Sequence, residues 1–571
     1  MSYFTVFKMR LRMELQYRGA MIGGILCQMF FGLILVALFY YLYCMVVKCI
    51  LLVLFFAVMI GVGVYCRRTA SDVVGFVLGG RNVGSWLTAF AFGTSYFSAV
   101  IFVGYAGQFG WKYGMAATWI GIGNALIGSL LAWRILGRRT RLMTQHLQSA
   151  TMPDFFGKRF FSGTLKVAAS VIVFIFLIPY TASLYNGLSR LFSMAFNVDY
   201  LWCVLGMAVL TGIYVLVGGY MATAVNDFIQ GMIMLVGICA VIAAVLLGNG
   251  GFTAAVESLS QIPSESAPGL SGAFVSFLGP QPIYLLGVVL LTSLGTWGLP
   301  QMVGKFYAIR SEAAIRKGTV ISTFFAIIVA GGCYFLGGFG RLYGQSIEYT
   351  AAGTPIYDSI VPSMLASLPD LMIGVVIILV LSASMSTLSS LVLTSGSTLT
   401  LDIINPAMAK LRKGKHLKEH TKLLWIRLLV LFFIVVSSVL AIVQAKSSVT
   451  FIAQLMGISW GALAGAFLAP FLYGLYWKRT TPASVWASFA AGVLVMCGCM
   501  YCTFTGKTFI SPYFTSPINA GVLAMVLGLV IVPVVSLFTK IRRKEDVDKM
   551  FNCYNSKVTV RATTSLVDEQ E

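Results

Sequence analysis

The chain has 571 residues, 58% of them hydrophobic and 10% charged, with a mean hydropathy of +0.88. A soluble domain needs more polar surface than that, so the composition excludes one and predicts a polytopic membrane protein held in the lipid bilayer. A net charge of +21 would suggest nucleic acid in a soluble protein; here the Lys and Arg residues gather in particular loops, which reads as membrane topology and points to no nucleic-acid partner.

Each apolar run is about 20 residues, enough to cross roughly 30 Å of hydrocarbon, and the runs predict an all-α protein with about 14 transmembrane helices. In order they lie near 19–46, 48–66, 83–107, 114–134, 165–186, 198–218, 226–248, 281–303, 317–338, 371–400, 422–443, 451–476, 483–504 and 517–539. The first is too long for a removable signal peptide and lacks a small-residue cleavage site. Arg67 and Arg68, the run Arg138, Arg139 and Arg141, then Lys158 and Arg159 fall on one side of the membrane. Lys305, Arg310, Arg316 and Lys317 fall on the same side, as do Lys410 to Lys418, Lys478 with Arg479, and Lys540 to Lys544. The loop 249–280 on the opposite side carries no basic residue. That alternation predicts an integral plasma (inner) membrane protein with both termini cytoplasmic.

Two of the spans are interrupted. One is 83–107, with AFAFGTSYFSAV around Gly93; the other is 281–303, with Gly295, Gly298 and Pro300 close together in TSLGTWGLPQ. Discontinuous helices at corresponding places in two halves mark a transporter's binding site, and about five spans in each half predict a five-plus-five inverted repeat. Asn226 and Asp227 open the span 226–248. An acid there has two readings, a functional carboxylate within the membrane or a helix N-cap that accepts backbone N–H bonds.

The most informative segment is LMIGVVIILVLSASMSTLSSLVLTSGSTLT (371–400). Its first half is ordinary lipid-soluble helix; its second carries Ser382, Ser384, Ser386, Thr387, Ser389 and Ser390. Hydrocarbon offers no water to satisfy these hydroxyls, so they must meet backbone, each other or a ligand. Oxygen donors at that depth suit a dehydrated hard cation such as Na⁺. The eleven Cys have no zinc or redox spacing, and His146, His416 and His420 all lie in basic loops. An enzyme is therefore not expected. The residues favour an ion-coupled carrier; a proton-coupled or uncoupled carrier or channel, or a sensor on the same frame, are the alternatives.

GFVLGGRNVGSW (75–86), WIGIGNALIGSLLAW with the following RRTR and TMPDFFGKRF (119–160), AVNDFIQGMIML (224–235) and SASMSTLSSLVLTSGSTLTLDI (382–403) resemble the solute:sodium symporter family. The resemblance runs from about 48 to 540. It implies a ten-helix inverted-repeat core that imports a small organic solute, an amino acid such as proline among the candidates, with co-transported Na⁺. It also implies a main Na⁺ site between the first and eighth core helices, with backbone carbonyls from Thr94, Phe97 and Ala383 and hydroxyls from Ser386 and Thr387. A second Na⁺ site, present in some members, would use Asp227, Ser386, Ser389 and Ser390. The solute cavity would be lined by Ser95, Tyr96, Ser98, Tyr180, Thr292, Thr296 and Trp297. The family's proline carriers have Asp where this chain has Tyr96, and aromatic residues at the positions of Thr292 and Thr296.

Residues 1–46 stand apart. FKMRLRMELQYRGAMIGGILCQMFFGLILVALFYYLY (7–43) resembles the opening of an ABC-2 type permease, and reads as an extra segment with one transmembrane helix or a fusion. The symporter-like unit is expected at 47–540, with its core at about 80–443, followed by a cytoplasmic tail at 541–571.

Overall fold

A computed structural model describes residues 45–555, apart from 197, 351–352, 414, 416, 446–451 and 542. All but the last two residues of the expected span 19–46, and the end of the tail, thus lie outside the described residues. Almost all of the rest is helix.

Helix α1 is Met45–Cys66, α2 Ser85–Tyr96, α3 Ala106–Tyr113, α4 Thr118–Gly123 and α5 Met152–Arg159. The long α6 (Gly163–Phe196) and α7 (Tyr200–Gly248) follow, then α8 (Pro282–Leu294), α9 (Pro300–Ala308) and α10 (Glu312–Gly337). Further along are α11 (Asp370–Thr398), α12 (Glu419–Ala445), α13 (Ile452–Tyr476), α14 (Pro482–Phe504), α15 (Pro517–Phe538) and a short α16 (Lys544–Phe551), with shorter helices such as Val73–Leu78 and Arg138–His146 between the long ones. Several starts follow from the local sequence. Thr151 accepts the Asp154 N–H at 3.1 Å and Ser311 accepts that of Ala314 at 3.1 Å, while Pro282, Pro300, Pro482 and Pro517 take first-turn positions where no N–H is needed.

Among the described residues, 9 helices are long and apolar enough to cross a membrane, or up to 10 with one bent pair. That number leaves out shorter apolar helices such as Ile50–Cys66 and Tyr200–Ile213, and most of the expected span 19–46 is not among the described residues. The expected 198–218 and 226–248 are two limbs of α7, which meet at Gly219 with φ 57° and ψ −153°. A side chain there would lie 2.9 Å from the Phe76 carbonyl oxygen, so only Gly allows the limbs to turn against the short helix Val73–Leu78. The expected 83–107 is split after α2.

The layering is that of a membrane protein. On α12, Leu424, Leu428, Leu431, Val435, Val439 and Val443 are exposed at helical spacing, an apolar stripe facing lipid. By contrast α11 and α13 are buried over 83% and 89% of their apolar stretches. The charged ends are tied by ion pairs. Lys166 of α6 meets Asp154 of α5 at 2.7 Å and Asp402, just past α11, at 3.1 Å. The described part of the tail is packed: Arg159 lies 5.1 Å from the Phe551 ring, and Lys478 pairs with Asp548 at 2.6 Å. That bond holds the Asp548 carboxyl below its ordinary pKa.

Backbones approach closely where α3 crosses α10. A Cβ on Gly110 would lie 1.9 Å from the Gly337 carbonyl oxygen, and one on Gly337 would lie 2.1 Å from that of Ala106. Backbone cannot yield as a flexible side chain does, and overpacking costs about 1–3 kcal/mol or more. Gly110→Ala is expected to lower the melting midpoint of the detergent-solubilised protein clearly. Gly163→Ala, where nothing lies within 4 Å, is the matched control and should leave it unchanged.

Candidate functional site

The site grows from two breaks. Helix α2 ends at Tyr96; Phe97 is extended, with φ −102° and ψ 127°. Helical turns resume at Val100–Tyr105 and lead into α3. Carbonyls before the break have lost their helical donors. The Ala99 N–H that would have bonded Ser95 is donated to Ser384 Oγ at 3.3 Å, and the Ile101 N–H goes to Ser98 O at 3.0 Å. The second break follows α8. Pro300 cannot donate to a helix, and it drives Leu299 to an extended conformation with ψ 120°. The helix bends there by 47°. The entrance to α2 and the exit of α9 are joined: Val83 donates to Ala308 O at 3.1 Å, and Arg310 to Val83 O at 3.0 Å.

The serine-rich half of α11 packs on the first break, with its hydroxyls turned inward and buried. Thr387 Oγ1 lies 3.3 Å from Thr94 O, 3.5 Å from Ser95 O, 3.5 Å from Phe97 O and 3.1 Å from Ala383 O. A hydroxyl has one proton and can satisfy only one of these carbonyls, so the others keep free lone pairs. Ser386 Oγ donates to Thr94 Oγ1 at 2.7 Å. The structure therefore brings Thr94, Phe97, Ala383, Ser386 and Thr387 into one oxygen cage. No group of three or more His, Cys, Asp and Glu gathers among the described residues; these donors are neutral, which suits a monovalent hard cation.

One step along α11, Ser390 Oγ is 2.8 Å from Ser95 Oγ and accepts from Lys305 Nζ at 2.9 Å. Lys305 Nζ is also 3.6 Å from Asp227 Oδ2, with both side chains buried. Two expectations are corrected here. Asp227 is no N-cap: it lies well inside α7, past Gly219. Lys305 is not a loop charge but a core residue, because α9 is packed against α2 and α11 where it carries this side chain. Ser389 Oγ bonds back to Ser386 O at 2.8 Å, within its own helix.

The expected cavity residues separate into two groups. Thr292 donates to Asn124 Oδ1 at 2.9 Å or Val288 O at 2.8 Å, Thr296 to Ser293 O at 2.8 Å, and Trp297 Nε1 to Ile127 O at 3.1 Å. These bonds hold the second break, in part against the helix that continues from α4. Tyr96 donates to Thr292 O and stacks on Trp460 at 5.9 Å, while Tyr180 meets the same indole edge-on at 5.9 Å. Ser98 Oγ, Tyr180 OH, Trp460 Nε1 and both polar atoms of Gln301 are buried with no well-formed hydrogen bond. The Tyr180 hydroxyl faces Ser98 and Trp460, so these three meet one another only loosely; buried polar atoms short of good hydrogen bonds are costly, which marks them and Gln301 as ligand-facing candidates. Trp460 and Gln301 were not expected from the sequence. Trp460 belongs to α13, beyond the expected core at about 80–443; Gln301 follows the Pro of the break, and that position was its only signal.

Residues 76–492 match the sequence profile of the family described as Sodium:solute symporter family. Sodium/proline symporter 2 of Staphylococcus saprophyticus is 29% identical over 455 residues, spanning 78% of this chain and 84% of its own. The osmoregulated proline transporter OpuE of Bacillus subtilis is 28% identical over 483 residues, spanning 83% and 93%. Among solved structures, a Na⁺-coupled sialic acid symporter in a substrate-bound, outward-open state matches with a TM-score of 0.70 at 16% identity. That match covers 87% of this chain and 98% of the other, and shows a shared fold.

Proposed function

The chain belongs to the sodium:solute symporter family, and from that membership we propose how its residues divide the carrying of Na⁺ and solute. It is an integral membrane, Na⁺-coupled symporter of a small organic solute, with Na⁺ the co-transported ion. The observation that carries the residue-level reading is the convergence of four carbonyl oxygens on Thr387 Oγ1.

In this reading Thr94, Phe97, Ala383, Ser386 and Thr387 hold the main Na⁺. The ion clamps the broken end of α2 to α11. Solute binds between the two breaks, at Ser95, Tyr96, Ser98 and Tyr180, with Trp460 and Gln301 added and with Thr292, Thr296 and Trp297 supporting the cavity wall. Asp227, Ser386, Ser389 and Ser390 form a second cation position. Na⁺ binding favours the arrangement that binds solute, which is how one gradient drives the other. Each Na⁺ crossing 100 mV releases about 2.3 kcal/mol, enough for well over tenfold accumulation at roughly 1.4 kcal/mol per factor of ten.

The breaks at Phe97 and Leu299 support a five-plus-five inverted repeat within about 14 spans, with both termini on the side of the basic loops. Residues 1–46 precede the matched region and are assigned to a separate segment. The unit 47–540 carries transport and 541–571 is the tail. Proline stays among the candidate solutes because relatives are named for it. An uptake screen of amino acids, including proline, with sugars and monocarboxylates is expected to find one solute accumulated in Na⁺ medium and not in choline medium. Equal uptake in both media would defeat the reading.

A further inference from the structure

The main oxygen cage leaves one buried charge pair unexplained. Lys305 is only 3% exposed and Asp227 fully buried, in a region where ionisable side chains are costly and rarely kept without a role. The ammonium touches two members of the second cation position directly. It lies 3.6 Å from Asp227 Oδ2 and donates to Ser390 Oγ at 2.9 Å. The face of Tyr220 closes its third side at 5.3 Å, a cation–π contact. A carboxylate, a hydroxyl and an aromatic face are a receptor for a single positive charge, and the chain supplies that charge itself.

The neutrality of the pair has a consequence. Neither Asp227 oxygen has a well-formed hydrogen bond; the carboxylate's partners are the ammonium and, more loosely, the Ser386 hydroxyl. A Na⁺ bound to Asp227 and Ser390 would share the same oxygens with a Lys charge in low dielectric, where like charges repel strongly. Both cannot stay. A small cavity of about 50 Å³ reaches Lys305, Ser390 and Thr394 from the side of Ala150 and Thr151, so the ammonium borders space where water can stand.

We infer that the Lys305 ammonium is a tethered substitute for a second Na⁺, seated between Asp227 and Ser390, and that it fixes this carrier at one Na⁺ per cycle. The inference rests on the Na⁺ reading proposed above and extends it to stoichiometry. Lys305 is a specificity-determining residue: it fills the second position, so coupling passes through the Thr387 cage alone. The lysine also keeps α9 joined to α7 and α11 by charge, as a bound ion would.

The test is equilibrium binding of ²²Na⁺ to the full chain in nanodiscs, without solute. The wild type is expected to bind one Na⁺ with a Hill coefficient near 1. Lys305→Gln uncovers Asp227, and is expected to bind two with a Hill coefficient rising toward 2. The double variant Lys305→Gln/Asp227→Asn, which keeps the site neutral, should return to one. Two Na⁺ bound to the wild type would overturn the inference, and so would one Na⁺ bound to a folded Lys305→Gln. If Lys305→Gln does not fold, the wild-type count decides: one upholds the inference and two overturns it. No saturable Na⁺ binding by the folded wild type would instead defeat the underlying Na⁺ reading.

Discussion

Thr387→Ala is expected to raise the Na⁺ concentration for half-maximal uptake by about 10- to 100-fold. Thr387 Oγ1 is the centre on which the carbonyls of Thr94, Ser95, Phe97 and Ala383 converge, all within 3.1–3.5 Å. Removing one buried oxygen donor from a charged ligand costs about 1.5–3 kcal/mol, and 1.4 kcal/mol is a factor of ten. The substitution costs little stability, because the hydroxyl's firmest bond is to its own helix, at Ala383 O. Thr387→Ser keeps the oxygen and should remain within a few-fold of wild type. Ser386→Ala should shift the Na⁺ dependence less, since its contact in the structure is with the Thr94 hydroxyl rather than with the carbonyl set. The measurement is initial solute uptake as a function of Na⁺ at fixed ionic strength. An unchanged Na⁺ dependence in Thr387→Ala would remove this cage from the mechanism, whatever happened to maximal rate.

How much of the site could be read from residue order depends on what each residue needs from its surroundings. The second break was readable because Pro300 removes a donor and forces Leu299 out of the helix, whereas the first, with no proline, falls at Phe97, four residues past the Gly93 around which it was expected. The serine-rich half of α11 was readable because hydroxyls in hydrocarbon must be satisfied. Direction along a helix was not readable in the same way. Thr292, Thr296 and Trp297 lie at the second break as expected, yet their polar atoms bond Asn124, Ser293 and Ile127 and not a common centre. Lys305 was misread because Arg310, Arg316 and Lys317 follow it closely. A run of basic residues says which side a loop faces but not how far the first of them reaches inward. Asp227 was misplaced because the turn at Gly219 sits between two apolar runs without a polar linker, so the helix start was put too late.

Trp460→Phe is expected to raise the solute concentration for half-maximal uptake about tenfold while leaving the Na⁺ dependence at saturating solute unchanged. The indole sits between Tyr96, stacked at 5.9 Å, and Tyr180, edge-on at 5.9 Å. Phe keeps most of that aromatic packing, whereas Trp460→Ala would leave a cavity costing about 3–5 kcal/mol and would confuse folding with binding. What Phe removes is Nε1–H, a buried donor with no well-formed hydrogen bond in the structure. Set only loosely against the Tyr180 hydroxyl, this donor is available to an acceptor on the solute, and losing such a bond costs about 0.5–1.5 kcal/mol for a neutral acceptor and more for a carboxylate. Tyr180→Phe removes the neighbouring hydroxyl, which faces Ser98 and Trp460 without a well-formed hydrogen bond, and is expected to act in the same direction. The assay is uptake of the solute identified by the screen, with solute and Na⁺ varied separately. If both variants keep the wild-type solute dependence, Tyr180 and Trp460 are packing residues and the binding surface lies elsewhere along the breaks. If either shifts Na⁺ affinity instead, the aromatic cluster acts on the ion cage through Tyr96 and Phe97, whose rings are 4.7 Å apart.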